Sequence, residues 1–176
     1  MNRVQLEHII RAAAANADVR DVVIIGSQAI LGQFPDAPGE LLVSMEADVF
    51  PRDCPENSIL IDGAMGERSI FHETFGYYAH GVDETTAVLP DGWKNRLIPV
   101  ENENTRGAVG WCLEVHDLAA SKLAAGRKKD VEFVEILLRS ELISGAVIRH
   151  RLAGLPESHS ARAEQRLARL EFQIRE

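Results

Sequence analysis

The chain has 176 residues, of which 45% are hydrophobic and 26% charged, and its formal net charge is −8. These values are typical of a globular protein of one domain, and they argue against a dedicated duplex-DNA surface, which needs clustered Lys and Arg. No apolar run approaches the roughly 18 residues of a membrane helix, and no apolar signal segment follows the N-terminus. The two cysteines form no CxxC motif. We therefore expect a cytoplasmic protein.

The first third of the chain reads as helix, strand, turn and strand. Apolar spacing predicts an amphipathic helix over residues 3–17, and the β-branched run DVVIIG (21–26) predicts a buried strand. One or two helical turns are expected from Ser27, a good N-cap residue. The turn-rich segment FPDAPGE (34–40) follows, and LLVSMEADVFP (41–51) is expected as the second strand.

The remainder changes from strands to helices. A helical pattern covers about residues 70–79, and TAVLPDGW and NRLIPV favour short strands around a Pro-Asp-Gly turn. AVGWCLEV is predicted as a strand, and HDLAASKLAAG as a helix ended by Gly126, with helical stripes continuing to the C-terminus. We therefore expect an α+β fold: a small mixed sheet with flanking helices over residues 1–116, and a helical part over 117–176 packed on it as one compact unit.

Gly26 and Ser27 stand where the first predicted strand meets the following helical turns. Backbone N–H groups behind a glycine, together with the positive end of a helix dipole, suit a phosphate group, and Ser27 adds a hydroxyl. A strand–Gly-Ser–helix corner is also common in proteins without a phosphate site, so that alternative stays open here.

Glu46 and Asp48 lie one residue apart in the second predicted strand. Residues i and i+2 of a strand share a face, so both carboxylates can reach one ion, and Mg²⁺ prefers such oxygen ligands. The alternative is a polar strand face or an edge strand guarded by charge. Apolar residues on both sides of the pair favour a covered strand, in which a charge needs a partner.

The Gly-Ser corner followed by an acidic pair on the next strand resembles the nucleotidyltransferase superfamily, whose hallmark is strand–Gly-Ser–helix and then Asp-x-Asp or Asp-x-Glu. The segments GERSIFHETFGYYAHGV, TAVLPDGWKNRLIPV, NENTRG and CLEVHDLAASKLAAGRKKDVEFV are similar to an uncharacterised bacterial family related to the AbiEii toxin of abortive-infection and toxin–antitoxin systems. The resemblance covers about residues 5–140. It implies a polymerase-β-like fold that binds Mg²⁺ and a nucleoside triphosphate (NTP), and transfers a nucleoside monophosphate (NMP) to an RNA or protein hydroxyl.

The same resemblance assigns roles to individual residues. It implies that Gly26 and Ser27 hold the β- and γ-phosphates and that Glu46 and Asp48 hold the metal. Its most specific part is the helix with Lys122, followed by Arg127 and by Lys129-Asp130. Lys122 or Arg127 would neutralise triphosphate charge. The alternative for these two cations is a solvated helix end, where Lys and Arg are favoured.

Two features depart from the superfamily pattern. The spacer between Ser27 and Glu46 is longer than usual, and the first acid is Glu instead of Asp. A third carboxylate is also expected from a later strand; Glu101, Glu114 and Asp117 are the nearest candidates, and Glu114 is favoured. Without a third carboxylate the alternative is a catalytically inactive member, used as a binding or regulatory module such as an antitoxin-like partner of a cognate protein.

The segment FHETFGYYAHG (71–81) concentrates aromatic and histidine side chains. Aromatic faces can stack on nucleobases, and the alternative is ordinary core packing with polar tips. Along the chain, His72, His80 and His116 do not form a metal-ligand spacing. The sequence therefore assigns no metal ligand among the histidines.

Overall fold

This computed structural model describes residues 1–175, with the side chains of residues 1–174. The chain divides into two compact units. Unit 1 comprises Met1–Thr86 and Leu97–Glu114, and unit 2 comprises Ala87–Arg96 and Val115–Glu176. No helix within the described part of the chain is long and apolar enough to cross a membrane.

Unit 1 is built on one five-stranded mixed sheet. Its strands are β1 (Asp21–Ile24), β2 (Glu46–Pro51), β3 (Tyr78–Gly81), β4 (Ile98–Val100) and β5 (Val109–Cys112). The strand order is β3-β2-β1-β5-β4. The β1–β5 and β2–β3 pairs are parallel, and the β1–β2 and β4–β5 pairs are antiparallel. Together with the helices described below, this sheet confirms the predicted α+β class.

Four helices accompany the sheet in unit 1. They are α1 (Arg3–Asn16), α2 (Ile30–Gln33), α3 (Ser58–Met65) and α4 (Ile70–Phe75). Asn2 begins α1 with a capping box, because its side chain accepts a hydrogen bond from the Gln5 amide while the Gln5 side chain accepts one from the Asn2 amide. The helix α1 packs on β1, β2 and β5 through Leu6, Ile9, Ile10 and Ala13, which are fully buried, whereas Val4 is 63% exposed. The first predicted helix is therefore observed.

The second strand is shorter than the sequence predicts. Residues Gly39–Leu41 form a 3₁₀ turn, and β2 begins only at Glu46. Val43 and Met45 are 76% and 45% exposed, so the apolar residues before the acidic pair do not form a covered strand. That expectation is wrong because a β-branched or aliphatic residue carries the same propensity whether it packs in a sheet or lies in an exposed loop.

Two further predictions need correction. The helix predicted over residues 70–79 ends at Phe75, and the chain continues as β3. The predicted hairpin around Pro-Asp-Gly is wrong, because within TAVLPDGW and NRLIPV only Ile98–Val100 is a strand, and it pairs with β5. The turn residues instead belong to unit 2, where the Asp91 amide donates to the carbonyl of Gly154.

Unit 2 is helical. Its helices are α5 (Val115–Ala125), α6 (Lys128–Arg139), α7 (Gly145–Leu152) and α8 (Glu157–Arg175). The helix α5 is buried along most of its length and contacts α6, α7 and α8. It ends at Ala125 and is followed by Gly126 with a φ of +65°, the glycine that the sequence predicts at its C-terminus. The helix α5 is thus the core element of this unit.

Candidate functional site

Glu46 and Asp48 project from one face of β2, as the i, i+2 spacing predicts. Ala47 and Val49 between and beyond them are fully buried, whereas the side chains of Glu46 and Asp48 are 39% and 26% exposed. The acidic pair therefore lies on the accessible face of a strand whose other face is in the core.

The neighbouring strand adds an imidazole to the two carboxylates. The parallel register of β2 and β3 places Tyr78 beside Glu46 and His80 beside Asp48. The His80 Nδ1 atom lies 3.6 Å from Asp48 Oδ1 and 3.9 Å from Glu46 Oε1. One ligand atom from each of the three residues falls within 4.8 Å of the others. Sequence spacing missed His80 because this neighbour is reached across a strand pair and not along the chain.

Tyr78 orients Glu46. Its hydroxyl donates a hydrogen bond of 2.6 Å to Glu46 Oε2. This hydrogen bond, followed by burial and the nearby carboxylate charges, raises the pKa of the Tyr78 hydroxyl well above its ordinary value. The ring of His72 packs on the ring of Tyr78, with centroids 4.6 Å apart. Tyr78 is therefore a protonated donor that leaves the second oxygen of Glu46 facing His80.

Asp62 of α3 lies on the other side of the His80 ring. Its Oδ1 atom is 4.0 Å from His80 Nε2 and accepts a hydrogen bond of 3.3 Å from the Gly81 amide. A Cβ on Gly81 would lie 2.1 Å from the Ser58 carbonyl, so only glycine lets β3 approach the first turn of α3 this closely. The two ring nitrogens of His80 thus face carboxylates on opposite sides.

The Gly26 corner lies directly against Asp48. A Cβ on Gly26 would lie 2.0 Å from Asp48 Oδ2, and the Ile25 amide donates to the Asp48 carbonyl at 3.2 Å. Any side chain at position 26 would displace the carboxylate. The corner and the acidic pair therefore share one side of the sheet, which is the arrangement that a metal-bound phosphate requires.

The helical segment behind this corner differs from the prediction. Ser27 is the first residue of a 3₁₀ turn, Ser27–Ala29, whose N-cap is Gly26, and α2 adds only four residues. Because the macrodipole grows from aligned peptide units, such a short segment offers little of it. A phosphate role of this corner therefore depends on its backbone N–H groups and the Ser27 hydroxyl.

Gln28 is an unexpected feature of the same corner. Its side chain is fully buried, and neither atom of its amide has a hydrogen-bond partner among the described residues. A buried amide without a partner costs about 1–3 kcal/mol, so such groups are rare in folded proteins. The Gly-Ser motif predicts a role for positions 26 and 27 and gives no indication of Gln28.

The three candidates for a third carboxylate lie in different surroundings. Glu101 is exposed and pairs with Arg20 at 3.0 Å. Asp117 is fully buried in unit 2, where it accepts two hydrogen bonds from Arg96 and lies 3.1 Å from Arg151 Nε, so both its oxygens face guanidinium groups. Glu114 is half-buried after β5. Its role as the third carboxylate stays a prediction.

Lys122 and Arg127 both contact Asp130 in unit 2. Lys122 Nζ lies 3.1 Å from Asp130 Oδ1, and Arg127 Nε lies 2.5 Å from Asp130 Oδ2. The Lys122 ammonium also stands 4.4 Å from the centroid of the Phe133 ring. Burial lowers the pKa of Lys122, and the adjacent Asp130 carboxylate offsets part of this effect. The predicted phosphate contacts of Lys122 and Arg127 are not tested by this geometry and stay predictions.

The aromatic segment 71–81 divides between packing and the site. Phe71, Phe75 and Tyr77 form a ring cluster with His8 of α1, and the Tyr77 hydroxyl lies 2.7 Å from His8 Nδ1. The core-packing alternative is therefore observed for Tyr77, which is 7% exposed, whereas Phe75 is 45% exposed. Tyr78 and His80 contact the acidic pair instead, and the His72 ring packs on Tyr78.

A comparison with protein families gives a match over almost the whole chain. A family model described as a nucleotidyltransferase of unknown function (DUF6036) matches residues 4–173, which is nearly the full length. No significant match was found among curated proteins or among solved structures.

Proposed function

The chain belongs to this nucleotidyltransferase family, and on that premise we propose that it binds a divalent metal with a nucleoside triphosphate and transfers the NMP group to a hydroxyl of RNA or protein. The observation that carries the proposal is the contact of the Gly26 corner with Asp48, where a Cβ would lie 2.0 Å from the carboxylate. It supports a triphosphate beside a metal held by Glu46 and Asp48.

The chemistry divides among the residues of unit 1. Glu46 and Asp48 would hold the metal, which in such transfers stabilises charge on the attacked phosphate and lowers the pKa of the acceptor hydroxyl. Tyr78 keeps Glu46 in a fixed orientation. Backbone N–H groups at the Gly26 corner and the Ser27 hydroxyl would bind phosphate oxygens, and the missing side chain of Gly26 leaves room for the Asp48 carboxylate beside them. The acceptor oxygen bonds to the α-phosphorus, the bond to the β-phosphate oxygen breaks, pyrophosphate leaves, and the hydroxyl proton passes to solvent.

Four finer assignments belong to the same proposal. Lys122 and Arg127 would neutralise triphosphate charge, and Glu114 would supply the third carboxylate. Mg²⁺ is the metal that the family resemblance implies. A role as an AbiEii-like toxin with a cognate partner protein is supported by the resemblance of residues 5–140. Growth arrest on expression, abolished by Asp48→Asn, tests this last assignment; normal growth with the wild type would contradict it.

A second candidate is a nucleotide-binding member that does not transfer. It is favoured by one observation: the third member of the cluster around Glu46 and Asp48 is the imidazole of His80 and not a carboxylate. In that case the same site would bind a metal and nucleotide as a regulatory or antitoxin-like module.

Two measurements separate these functions. Each NTP with a divalent metal should stabilise the wild type, by about 2.7 kcal/mol at 100 times the dissociation constant, and label from an α-labelled NTP should appear on RNA or protein. The variant Asp48→Asn should lose both effects, whereas Asp53→Asn, at an exposed aspartate, should retain them. Stabilisation without transfer favours the second candidate, and no stabilisation by any NTP overturns both.

A further inference from the structure

We infer that His80 is a metal ligand held in place by Asp62, and that its imidazole makes the site select Mn²⁺ over Mg²⁺. This inference rests on the proposed metal site and names the ion that the site prefers. It gives a role to an imidazole that lies between three carboxylates of unit 1.

The distances around His80 suit a shared ion. Metal–nitrogen and metal–oxygen bonds in such sites are about 2.0–2.2 Å, so two ligand atoms on one ion are separated by at most about 4.4 Å. The His80 Nδ1 atom lies 3.6 Å from Asp48 Oδ1 and 3.9 Å from Glu46 Oε1. Both separations fall within this limit, so one ion can contact the imidazole and either carboxylate.

Asp62 supplies a second and independent observation. A histidine that binds a metal through one ring nitrogen commonly donates the other N–H to a carboxylate, which fixes the ring and its tautomer. Asp62 Oδ1 stands 4.0 Å from His80 Nε2, the nitrogen turned away from the acidic pair. The Gly81 amide holds the same Asp62 oxygen, at 3.3 Å. The 4.0 Å separation is a charge contact longer than a hydrogen bond, so Asp62 would position the His80 ring when the metal is bound.

The donor set decides which ion is preferred. Mg²⁺ takes oxygen ligands almost exclusively and requires near-ideal octahedral geometry, so an imidazole contributes little to its binding. Imidazole suits first-row transition metals, whereas carboxylates and phosphate oxygens suit both Mg²⁺ and Mn²⁺. Two carboxylates, one imidazole and substrate phosphates together therefore favour a first-row transition ion such as Mn²⁺ over Mg²⁺.

The test uses the full-length protein and the metals alone, without nucleotide. MnCl₂ and MgCl₂ are titrated calorimetrically, and pulsed electron paramagnetic resonance of the Mn²⁺ complex records coupling to ¹⁴N. The wild type should bind Mn²⁺ more tightly than Mg²⁺ by on the order of tenfold and show one imidazole coupling. His80→Asp should lose the coupling and bring the affinity ratio toward one. His150→Asp, at an exposed histidine of α7, should behave as the wild type.

Asp62→Asn tests the positioning role. It should retain the ¹⁴N coupling but lower Mn²⁺ affinity, on the order of 10–100-fold.

If His80→Asp does not fold, His80→Asn replaces it, and circular dichroism monitors folding in each variant. Absence of ¹⁴N coupling in the wild type, or an affinity ratio unchanged by the His80 substitution, would overturn the inference; His80 would then be only a charge partner of the carboxylates.

The two proposals can fail separately. Nitrogen coupling without NTP stabilisation would contradict the proposed nucleotidyltransferase function and leave the His80 ligand intact. NTP stabilisation and label transfer without nitrogen coupling would leave the function intact and contradict the role of His80.

Discussion

At the scale of single residues, two adjacent tyrosines of the same segment have different tasks. Tyr78 donates to Glu46 Oε2 at 2.6 Å, whereas the Tyr77 hydroxyl lies 2.7 Å from His8 Nδ1 in the packing cluster. A hydrogen bond to a charged group contributes about 1.5–3 kcal/mol. The Tyr78 hydrogen bond fixes the orientation of a carboxylate that is proposed to bind the metal. Loss of the Tyr78 hydroxyl should therefore weaken metal binding.

Tyr78→Phe should therefore weaken Mn²⁺ binding several-fold and leave the fold intact, because Glu46 keeps its charge and loses only its orientation. Tyr77→Phe is the matched control, since it removes a hydroxyl one position away and should leave the metal affinity unchanged. Calorimetric titration of both variants measures the difference. Equal metal affinities in the two variants would show that the Tyr78 hydroxyl does not organise the site.

At the scale of elements, the helices and strands with a strong local pattern could be predicted from the sequence. The helix α1 has a continuous apolar stripe, β1 a β-branched run, and α5 a terminal glycine at Gly126, and all three are observed near their predicted positions. Each of these signals depends on residues only a few positions apart, so chain order alone is enough to detect it.

One element that depends on a distant partner, the strand β3, is not predicted. The strand β3 lies in an aromatic segment with helix-like spacing, and it is a strand because it pairs with β2, which lies some 30 residues earlier in the chain. His80 enters the site through the same pairing. The acidic pair could be located from its i, i+2 spacing, but its imidazole neighbour could not, because strand register is set by the folded sheet.

The helix pair α5 and α6 is joined by the buried Asp130. Its side chain is 1% exposed and contacts both Lys122 and Arg127. Burial raises the pKa of Asp130, but hydrogen bonds and charge from these two cations outweigh burial, and the pKa lies below its ordinary value. Asp130 is thus ionised at neutral pH and compensates the buried ammonium of Lys122.

Removing this carboxylate should destabilise unit 2. Asp130→Ala removes the carboxylate that lies 3.1 Å from the buried Lys122 ammonium, and removing one partner of a buried pair costs about 3–5 kcal/mol. Glu132→Ala is the control on the same helix, because Glu132 is exposed and its ion pair with Lys128 lies on the surface, an interaction of about 0.5 kcal/mol or less. Urea denaturation followed by circular dichroism measures both. A loss below 1 kcal/mol for Asp130→Ala would contradict a structural role for the pair.

At the scale of the whole molecule, the net negative charge and the local acidic pair affect ligand binding in different ways. The net charge of −8 disfavours a nucleic-acid duplex as ligand, because neutralising phosphates requires clustered cations. A small triphosphate differs in this respect, since a divalent ion at the proposed site of Glu46 and Asp48 would supply the positive charge locally. An overall acidic protein and a phosphate-binding site are therefore compatible.

The stability of unit 1 should fall in mild acid because of His8. Burial, together with the charge of Arg11, lowers the pKa of His8 below its ordinary value. The unfolded chain therefore takes up this proton first, so the stabilisation is complete above about pH 6.5 and is lost as the pH falls through the lower pKa of the folded state.

The expected result is a urea midpoint for unit 1 that decreases between about pH 7 and pH 5 in the wild type and decreases less in His8→Gln. Glutamine keeps a polar atom near the Tyr77 hydroxyl and cannot be protonated in this range. The fluorescence of Trp111 reports on unit 1 when the protein also carries Trp93→Phe, because Trp93 belongs to unit 2. His150→Gln, at an exposed position, should retain the wild-type slope; equal slopes in all three proteins would show that His8 does not govern the acid sensitivity of this unit.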